Sequence, residues 1–305
     1  MHRKIGEVKA VNDISFDIVK GESVGVVGES GCGKSTLARL MLNLIRPTSG
    51  QVLFDGQDVN RIGKTRLRNL RRRMQMVFQD PHSSLDPRNS IYRSLDEVFT
   101  IQKEKISRKK INDRIVELLG MVGLKPEHCR SYPHQLSGGQ KQRAVIARAL
   151  AMVPEFIILD EPTAALDVSV QAQIILLLQQ LGDQFGMTYL FISHDLALVD
   201  YFCQRIIVMY LGRIVEITPA GLSRQEPAHP YTKALMDSVF VADPLAEAKA
   251  LKIEGDVPSP FNLPRGCGFE NRCAHARDIC RKDSPELREI MPGKFVACHF
   301  ASCIS

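Results

Sequence analysis

Two glycine-rich loops in this sequence have the composition of phosphate-binding sites. The first, "GESGCGKST" at Gly28–Thr36, fits G-x-x-x-x-G-K-[ST], a pattern whose backbone amides surround phosphates between a strand and a helix. There Lys34 would neutralise the β- and γ-phosphates, and the Ser35 hydroxyl would ligate Mg²⁺. The second loop, "LSGGQKQR" from Leu136, opens a predicted helix whose amides and dipole favour an anion. The predicted nucleotide-binding residues of the two loops are Gly28, Glu29, Ser30, Gly31, Cys32, Gly33, Lys34, Ser35, Thr36, Ser137, Gly138, Gly139 and Gln140.

Polar residues at the ends of other predicted strands would complete a hydrolytic site. "FIILDEP" carries Asp160 to the end of a buried strand, where it would hold Mg²⁺ through water, and Glu161 follows as a base for the attacking water. Gln79 ends "MVFQ" and His194 ends "LFISH", so both are predicted to reach the γ-phosphate or its water. The predicted Mg²⁺ ligands are Ser35, Gln79 and Asp160. Each of these residues alone would more often be a hydrogen-bonded polar side chain at the end of a strand. Together with the phosphate loop, they favour a catalytic role.

The helices between the two loops raise a geometric problem. If they hold the second loop away from the sheet, one domain cannot place both loops on the same nucleotide. Two domains facing head to tail solve this, because each ATP would lie between Gly28–Ser35 of one and Ser137–Gly139 of the other. The nucleotide would then join the domains, which part after hydrolysis.

Strand-like and helix-like stretches alternate along the first half of the chain and continue beyond it. The predicted strands are "SFDIV", "ESVGVVG", "QVLFDG", "MQMVFQD", "FIILDEP", "TYLFIS" and a hairpin, "RIIVMYLGRIVEI", with Gly212 in its turn. Residues from Pro81 to Ala149 are predicted to be mostly helical, and "KSTLARLMLNLI" is predicted to be a helix stopped by Pro47 and Gly50. The alternation predicts an α/β fold with a mostly parallel sheet. Apolar residues at helical spacing predict a core stripe at Val170, Ile174, Leu177, Leu178 and Leu181.

Composition is that of an ordinary globular protein, with 305 residues, 44% hydrophobic and 24% charged. The longest aliphatic run, Ile174–Leu178, is far too short to span a membrane, and no signal peptide is predicted. The chain is therefore expected in the cytosol unless a partner holds it at a membrane. The basic run Lys64–Arg73 is predicted to be a solvated helix face before a strand, with contact to nucleic acid or anionic lipid as the alternative.

Cysteines crowd the last forty residues or so, where Cys267, Cys273, Cys280 and Cys298 form C-x₅-C-x₆-C-x₁₇-C. A reducing compartment argues against disulfides, and four thiolates suit Zn²⁺ or a [4Fe–4S] cluster. The spacing fits neither a zinc ribbon nor a ferredoxin, so unligated thiols remain a third alternative. A cofactor here would be a structural staple. Side chains that could replace a ligand, and a cysteine outside the pattern, are His275, His299 and Cys303.

The motifs "GESGCGKST", "MVFQD", "LSGGQKQR", "FIILDEPTAALD" and "ISHDL" occur in an order and spacing that resemble the nucleotide-binding subunit of an ABC transporter. The resemblance covers roughly residues 5 to 220 and implies a P-loop NTPase (RecA-like) fold with a helical subdomain at about 82–145. It implies that Glu161 is the catalytic glutamate, His194 the switch histidine and Gln79 a sensor of the membrane subunit. It also places Asp167 in the loop that crosses the dimer.

A finer resemblance is to the oligopeptide/dipeptide importer branch, carried by "QDPHSSLDPR", "EPTAALDVSVQAQI", "HPYTKALMDSV" and "GCGFENRC". Near Gly221 prolines, cysteines and charges replace aliphatic periodicity, which predicts a nucleotide-binding domain at 1–222 and a small cysteine-containing domain at 223–305. The resemblance implies that this second domain is the branch's C-terminal extension and that its cysteines bind an iron–sulfur cluster. It also implies peptide import powered by ATP at the cytoplasmic face of the membrane. The implied partners are a sister ATPase, two membrane-spanning permease subunits and an extracytoplasmic peptide-binding protein, without nucleic acid.

Other functions remain alternatives at this point. The same kind of motor serves nickel and other small solutes. A DNA-maintenance ATPase shares the two-loop logic but needs long inserts between the loops, and a non-enzymatic iron–sulfur scaffold conflicts with the intact Lys34 and Glu161. The family's adenine-stacking aromatic has its nearest match at Ile5, so either the natural start lies upstream or stacking on adenine is weakened.

Overall fold

The computed structural model describes residues 7–102, 107–221, 227–239, 258–259, 261 and 263–301. The predictions for Ile5 and Cys303 lie outside these residues. The chain divides into two compact units. The first comprises Met1–Ile18, Ser23–Arg39 and Phe191–Ser305, and the second comprises Val19–Glu22 and Leu40–Leu190.

The described residues form helices and strands in alternation. The strands are β1 (Ser23–Val27), β2 (Leu53–Phe54), β3 (Gln57–Asp58), β4 (Met74–Val77), β5 (Phe156–Asp160), β6 (Thr188–Ile192), β7 (Arg205–Tyr210), β8 (Arg213–Pro219), β9 (Arg288–Met291) and β10 (Lys294–Val296). The α-helices are α1 (Lys34–Met41), α2 (Lys64–Arg73), α3 (Pro81–Ser84), α4 (Ile91–Gln102), α5 (Arg108–Met121), α6 (Gly138–Leu150), α7 (Val168–Phe185), α8 (Leu196–Phe202), α9 (Pro230–Val239) and α10 (Asp278–Lys282). Short 3₁₀ helices lie at Pro126–Arg130, Pro133–Gln135 and Glu270–Arg272.

In the first unit a mixed sheet is built on strand β1. Strand β1 pairs in parallel with β7, which forms an antiparallel hairpin with β8 across Gly212, as predicted. Strand β8 pairs with β10, and β10 with β9, both antiparallel. All five residues of β1 are buried, as expected for a strand covered on both faces.

In the second unit β4 pairs in parallel with β5, with Val77 opposite Leu159. Helices α3 to α6 follow β4 in sequence, which confirms that the stretch from Pro81 to Ala149 is mostly helical. On α7 the predicted stripe is confirmed, because Ile174, Leu177, Leu178 and Leu181 are buried and Val170 is half-buried. The basic run forms α2 directly before β4, also as predicted, and only Leu70 of that helix is buried.

Two predicted elements differ from the structure. "SFDIV" alternates between half-buried and exposed residues as a strand would, yet it forms no strand of the described sheet. Alternation of polar and apolar residues indicates which side chains face the protein interior, but it does not show that a neighbouring strand is present to form backbone hydrogen bonds. Helix α1 ends at Met41, before the predicted stop at Pro47, and Asn43 then has a φ of 51°. A left-handed residue at this point ends the helix.

The C-terminal cysteine segment is not confirmed as a separate small domain. Its strand β10 pairs with β8, and the segment belongs to the same compact unit as the predicted phosphate loop. The carboxylate of Glu216 on β8 is fully buried and accepts N–H groups of Ala228 and His229 at 3.1 and 2.9 Å. These amides immediately precede α9, so a buried anion anchors the start of that helix to the sheet. The predicted boundary near residue 222 remains a prediction.

Candidate functional site

The Gly28–Ser35 loop joins β1 to α1, the strand-to-helix context that its sequence predicted. Gly33 has a φ of 109°, and a β-carbon on it would approach the carbonyl oxygen of Ala10 to 2.0 Å. Only glycine therefore fits at this point of the loop. Ser35 and Thr36 lie in the first turn of α1, half-buried.

Lys34 is buried in the loop, with its side chain directed back along it. Its Nζ atom donates hydrogen bonds to the carbonyl oxygens of Gly28 and Glu29 at 2.6 and 3.1 Å. The Cys32 sulfur is 3.9 Å away, and burial raises the pKa of that thiol, so it stays neutral beside the ammonium group. The lysine thus holds a positive charge at the centre of the phosphate-binding loop.

The predicted switch residue, His194, belongs to the same unit as this loop. It lies two residues beyond the end of β6 rather than ending the strand, and it is exposed. The next residue, Asp195, caps α8 by accepting the N–H groups of Ala197 and Leu198 at 2.9 and 3.1 Å. The cap fixes the turn that presents His194.

In the second unit the structure brings Gln79 and Glu161 together. Asp160 ends β5 and is buried, and Glu161 follows with a φ of 48°. The Gln79 Nε2 atom donates to Glu161 Oε2 at 2.8 Å. Gln79 lies two residues beyond Val77, the last residue of β4, so this contact joins the loops that follow two neighbouring strands. The amide thereby orients the carboxylate predicted to act as the base.

The second glycine-rich loop begins α6, as predicted. Ser137 and Gln140 form a capping box, in which the Ser137 hydroxyl accepts the Gln140 N–H at 3.3 Å and the Gln140 side chain accepts the Ser137 N–H at 3.0 Å. A β-carbon on Gly139 would lie 2.6 Å from the Val170 Cγ1 atom. The loop needs small residues because α7 packs directly against it.

Asp167 is exposed and immediately precedes α7. The segment between Glu161 and this residue is fixed by Gln171, whose Nε2 atom donates to the carbonyl oxygens of Thr163 and Leu166, each at 3.0 Å. The segment that begins with the predicted base is therefore tied to α7.

Four cysteines of the C-terminal cluster, Cys267, Cys273, Cys280 and Cys298, line one small cavity of the first unit. The cavity is also lined by the predicted alternative ligands and by neighbouring aromatic groups, among them His275, His299, Phe269 and Phe300. Burial raises the pKa of the Cys267 thiol to about 11 and also raises the pKa of Cys273 and Cys298. Across the described residues, however, no group of three or more His, Cys, Asp or Glu side chains is arranged to hold a metal ion. The predicted iron–sulfur site is thus not supported, although its residues are gathered in one place.

Two contacts to the phosphate loop were missed by sequence reasoning. Arg272 pairs with the Glu29 carboxylate at 2.8 and 2.9 Å, and the Tyr231 hydroxyl accepts the Glu29 N–H at 2.8 Å. Both residues lie more than 200 positions from Glu29, and no local pattern relates them. The only sequence signal near Arg272 is the stretch "GCGFENRC", which resembles the importer branch and contains this arginine.

Comparison with known proteins identifies both parts of the chain. The family described as "ABC transporter" matches residues 11–164, and the family described as "Oligopeptide/dipeptide transporter, C-terminal region" matches residues 215–280. Oligopeptide transport ATP-binding protein AppF of Bacillus subtilis is 48% identical over 303 residues, covering 98% of this chain and 92% of that protein. A probable peptide ABC transporter ATP-binding protein of Sinorhizobium fredii is 51% identical over 292 residues, covering 96% and 82%.

Solved structures agree with the fold. A dimeric bacterial ABC transporter cassette, MJ0796, has a TM-score of 0.65 and 32% identity, covering 72% of this chain and 94% of that one. Its dimeric post-hydrolysis state bound to ADP and Pi has a TM-score of 0.63 and 32% identity, covering 69% and 90%. The predicted P-loop fold and family resemblance are confirmed. The chain belongs to the ABC transporter family, is an ATPase, and carries the C-terminal region of the oligopeptide/dipeptide transporters.

Proposed function

We propose that this chain is the ATP-hydrolysing subunit that powers peptide import by an ABC transporter complex. The observation that carries the proposal is the similarity along nearly the whole chain to the ATP-binding protein of an oligopeptide transporter. The matched C-terminal region favours peptide import over the DNA-maintenance alternative. Motors for nickel or other small solutes remain the second candidate, because the phosphate loop is suited to ATP whatever solute is carried.

The residues would divide the work as follows. The loop amides and Lys34 bind the phosphates, and Ser35 and Asp160 would hold Mg²⁺, which neutralises charge on the phosphoryl oxygens when bound. Glu161 orients the attacking water and accepts its proton, while Gln79 holds the carboxylate in place through the 2.8 Å hydrogen bond. His194, which belongs to the first unit, would contact the γ-phosphate or the attacking water. The assignment of Gln79 as a Mg²⁺ ligand is part of the same proposal.

The second loop would act on the nucleotide of a partner subunit. Ser137, Gly138 and Gly139 begin α6 with their amides at its positive end. Facing the Gly28–Ser35 loop of another ATPase subunit, they would bind its triphosphate, and Asp167 would link the two sites. Supporting this arrangement, the similar cassette MJ0796 is dimeric.

Transport needs further subunits. None of the helices in the ranges that the structure describes is long and apolar enough to cross a membrane. The proposed complex includes two membrane-spanning permease subunits, an extracytoplasmic peptide-binding protein and a sister ATPase, with this chain at the cytoplasmic face of the membrane. The similarity to the ATP-binding proteins of peptide transporters supports this composition.

Uptake in cells that lack the gene tests the function. Cells without this chain are expected to lose uptake of labelled di- or oligopeptides, and wild-type protein to restore it, whereas Glu161→Gln restores none. Uptake of free amino acids is the control for general damage. Retained peptide uptake together with lost nickel uptake would contradict the peptide assignment and select the second candidate.

The cysteine cavity carries a separate part of the proposal. We infer that Cys267, Cys273, Cys280 and Cys298 hold a structural cofactor, a [4Fe–4S] cluster with zinc as the alternative. The support is the donor set itself, since four thiols line one cavity. Protein purified without oxygen is expected to contain iron and acid-labile sulfide, and Cys280→Ser to lose both. Zinc instead would select the alternative, and neither metal would identify four unligated thiols.

A further inference from the structure

We propose that Arg272 is a positioning residue for ATP binding, which holds the phosphate loop through Glu29. The residue lies between Cys267 and Cys273 in the C-terminal segment, the part of the chain predicted above to span 223–305, and no motif of the nucleotide site includes it. The inference rests on the proposed function, because its consequence is the affinity of the loop for ATP.

The contact between Arg272 and Glu29 is a two-pronged ion pair. Nη1 lies 2.8 Å from one carboxylate oxygen of Glu29, and Nη2 lies 2.9 Å from the other. The arginine side chain is 6% exposed and the glutamate side chain 23% exposed. Paired, charge-assisted hydrogen bonds shielded from water fix the direction of both groups, as a single surface contact does not. The ion pair also keeps the pKa of Arg272 above its usual range.

The main chain of Glu29 is held from the same segment. Its N–H donates to the Tyr231 hydroxyl at 2.8 Å, and Tyr231 lies at the start of α9, the helix anchored by Glu216. Burial raises the pKa of the Tyr231 hydroxyl, which therefore stays protonated and accepts this hydrogen bond as a neutral group. Side chain and backbone of one loop residue are thus both bound to the C-terminal segment.

The position of Glu29 sets the position of the phosphate-binding lysine. Lys34 donates from Nζ to the carbonyl oxygen of Glu29 at 3.1 Å and to that of Gly28 at 2.6 Å. A shift of the Glu29 backbone would therefore move both acceptors that direct the ammonium group. The contact at Arg272 reaches the nucleotide site through one residue of the loop.

Arg272 is itself held in place. It ends the 3₁₀ turn Glu270–Arg272, and its Nη1 atom also donates to the Tyr210 hydroxyl at 3.1 Å. The rings of Tyr210, Tyr231 and Phe269 pack on one another with centroids 4.7 to 5.4 Å apart. This aromatic cluster restricts the guanidinium to the orientation that meets Glu29.

A purely structural role for the ion pair explains the geometry less well. The buried Nε atom of Arg272 has no hydrogen-bond partner, so the side chain is buried without full satisfaction of its donors. Buried ion pairs contribute little net stability, because desolvation offsets their attraction. An apolar side chain packed against the aromatic cluster would anchor the segment as well, but it would not hold the carboxylate of Glu29.

Substitution of Arg272 by methionine tests the proposal, because methionine keeps much of the apolar stem and removes the fork. The matched control is Arg281→Met, an arginine of the same segment whose side chain is 70% exposed and pairs with Glu270 and Asp278. We expect Arg272→Met to weaken binding of ATP, and to raise the KM for ATP, by about tenfold, with kcat changed by less than about twofold. Arg281→Met is expected to leave both constants unchanged.

A double-mutant cycle separates positioning from general damage. Glu29→Gln should weaken ATP binding by a similar factor. The double variant should bind ATP no more weakly than the single variant with the lower affinity, because both substitutions remove the same interaction. Arg272→Lys, which keeps the charge without the fork, provides a second variant that preserves the fold and is expected to rescue only part of the affinity.

Two results would overturn the proposal, and a third would overturn the proposed function. Unchanged KM in both Arg272 variants, with a lowered midpoint of thermal unfolding, would make the ion pair a structural anchor and overturn the proposal. Additive effects of the Glu29 and Arg272 substitutions on ATP affinity would also overturn it. Failure of the unsubstituted chain to bind ATP would instead overturn the proposed function, and this inference with it.

Discussion

At the scale of single residues, the backbone of Glu161 is the unusual feature of the proposed hydrolytic site. A φ of 48° places a non-glycine residue in the left-handed region, at a cost of about 1–3 kcal/mol. The residue directly follows the buried Asp160, and its carboxylate accepts the hydrogen bond from Gln79. The strain turns the second carboxylate away from the strand that carries the first. The two adjacent acidic residues therefore face different surroundings, in keeping with the different roles proposed for them.

Glu161→Gln should leave ATP binding intact and slow turnover by about 10²–10⁴-fold, since it removes the proposed base while keeping the size of the side chain. The measurement is steady-state ATPase rate beside the equilibrium affinity for ATP. Glu155→Gln, another neutralised glutamate of the same unit, serves as the control and should retain the wild-type rate. A Glu161→Gln rate close to wild type would remove this residue from the role of base.

At the scale of elements, the start of α6 is shaped by its contact with α7. The β-carbon missing from Gly139 leaves the space that Val170 Cγ1 occupies, and the β-carbon missing from Gly138 leaves space beside Leu166. These glycines therefore serve close packing between helices as well as the exposure of backbone amides.

We expect Gly139→Ala to lower the free energy of unfolding by about 1–3 kcal/mol, because the added methyl group overlaps the Val170 side chain. Val170→Ala in the same chain should recover most of that loss, since it removes the methyl group in conflict. Chemical denaturation of the two single variants and the double variant measures the coupling. Additive losses in the double variant would show that the packing contact is not the cause.

The end of α2 is joined to the start of β5 by a salt bridge. Arg73 donates to both carboxylate oxygens of Glu155 at 2.6 and 2.9 Å and also pairs with Asp55. The Arg73 hydrogen bonds lower the pKa of Glu155 below its usual value. The contact closes the connection that brings β4 beside β5.

This lowered pKa predicts a loss of stability in acid. The unfolded chain binds a proton at Glu155 near its ordinary pKa of about 4.3, before the folded chain does, so the stabilisation is complete above that pH and is lost as pH falls through the folded pKa. Both partners are nearly two-fifths exposed, so the effect should be about 1 kcal/mol or less. Glu155→Gln should therefore lose less stability than wild type when the pH falls from about 5 to about 3. Equal losses would contradict the assignment.

Sequence patterns found most of these elements because each pattern is local. The strand before Gly28, the helix after it, and the hairpin around Gly212 are determined by residues within a few positions. Gln79 and His194 were placed at strand ends but lie two residues beyond them, since strand ends depend on pairing that periodicity does not report. Contacts such as Arg272 with Glu29 join segments 243 residues apart and have no local signal.

At the scale of the whole molecule, binding and hydrolysis of ATP are assigned to loops from different parts of the chain. The first unit contains Lys34, and with it the C-terminal segment that contacts the phosphate loop. The second unit contains Glu161 and the Ser137 loop. The proposed head-to-tail arrangement makes two requirements. A single subunit must bind ATP with its own Gly28–Ser35 loop, and two subunits must associate only when ATP is present.

Two subunits are expected to pair only in the presence of ATP. Glu161→Gln, which retains ATP, is expected to associate with Mg²⁺ and ATP, alone or mixed with its sister ATPase subunit, and to dissociate when nucleotide is removed. Adding Gly138→Asp should abolish association, because a carboxylate at the start of α6 repels the partner's triphosphate.

The same double variant provides its own control, since Lys34 and the first loop are unchanged and binding of a fluorescent ATP analogue to the single chain should persist. Light scattering gives the mass and fluorescence anisotropy gives the affinity. Association that survives Gly138→Asp would place the second loop outside the interface, whereas loss of ATP binding by the single chain would mean that both loops serve one nucleotide in one subunit. The head-to-tail arrangement therefore requires that Gly138→Asp abolishes association of the subunits and leaves ATP binding by the single chain intact.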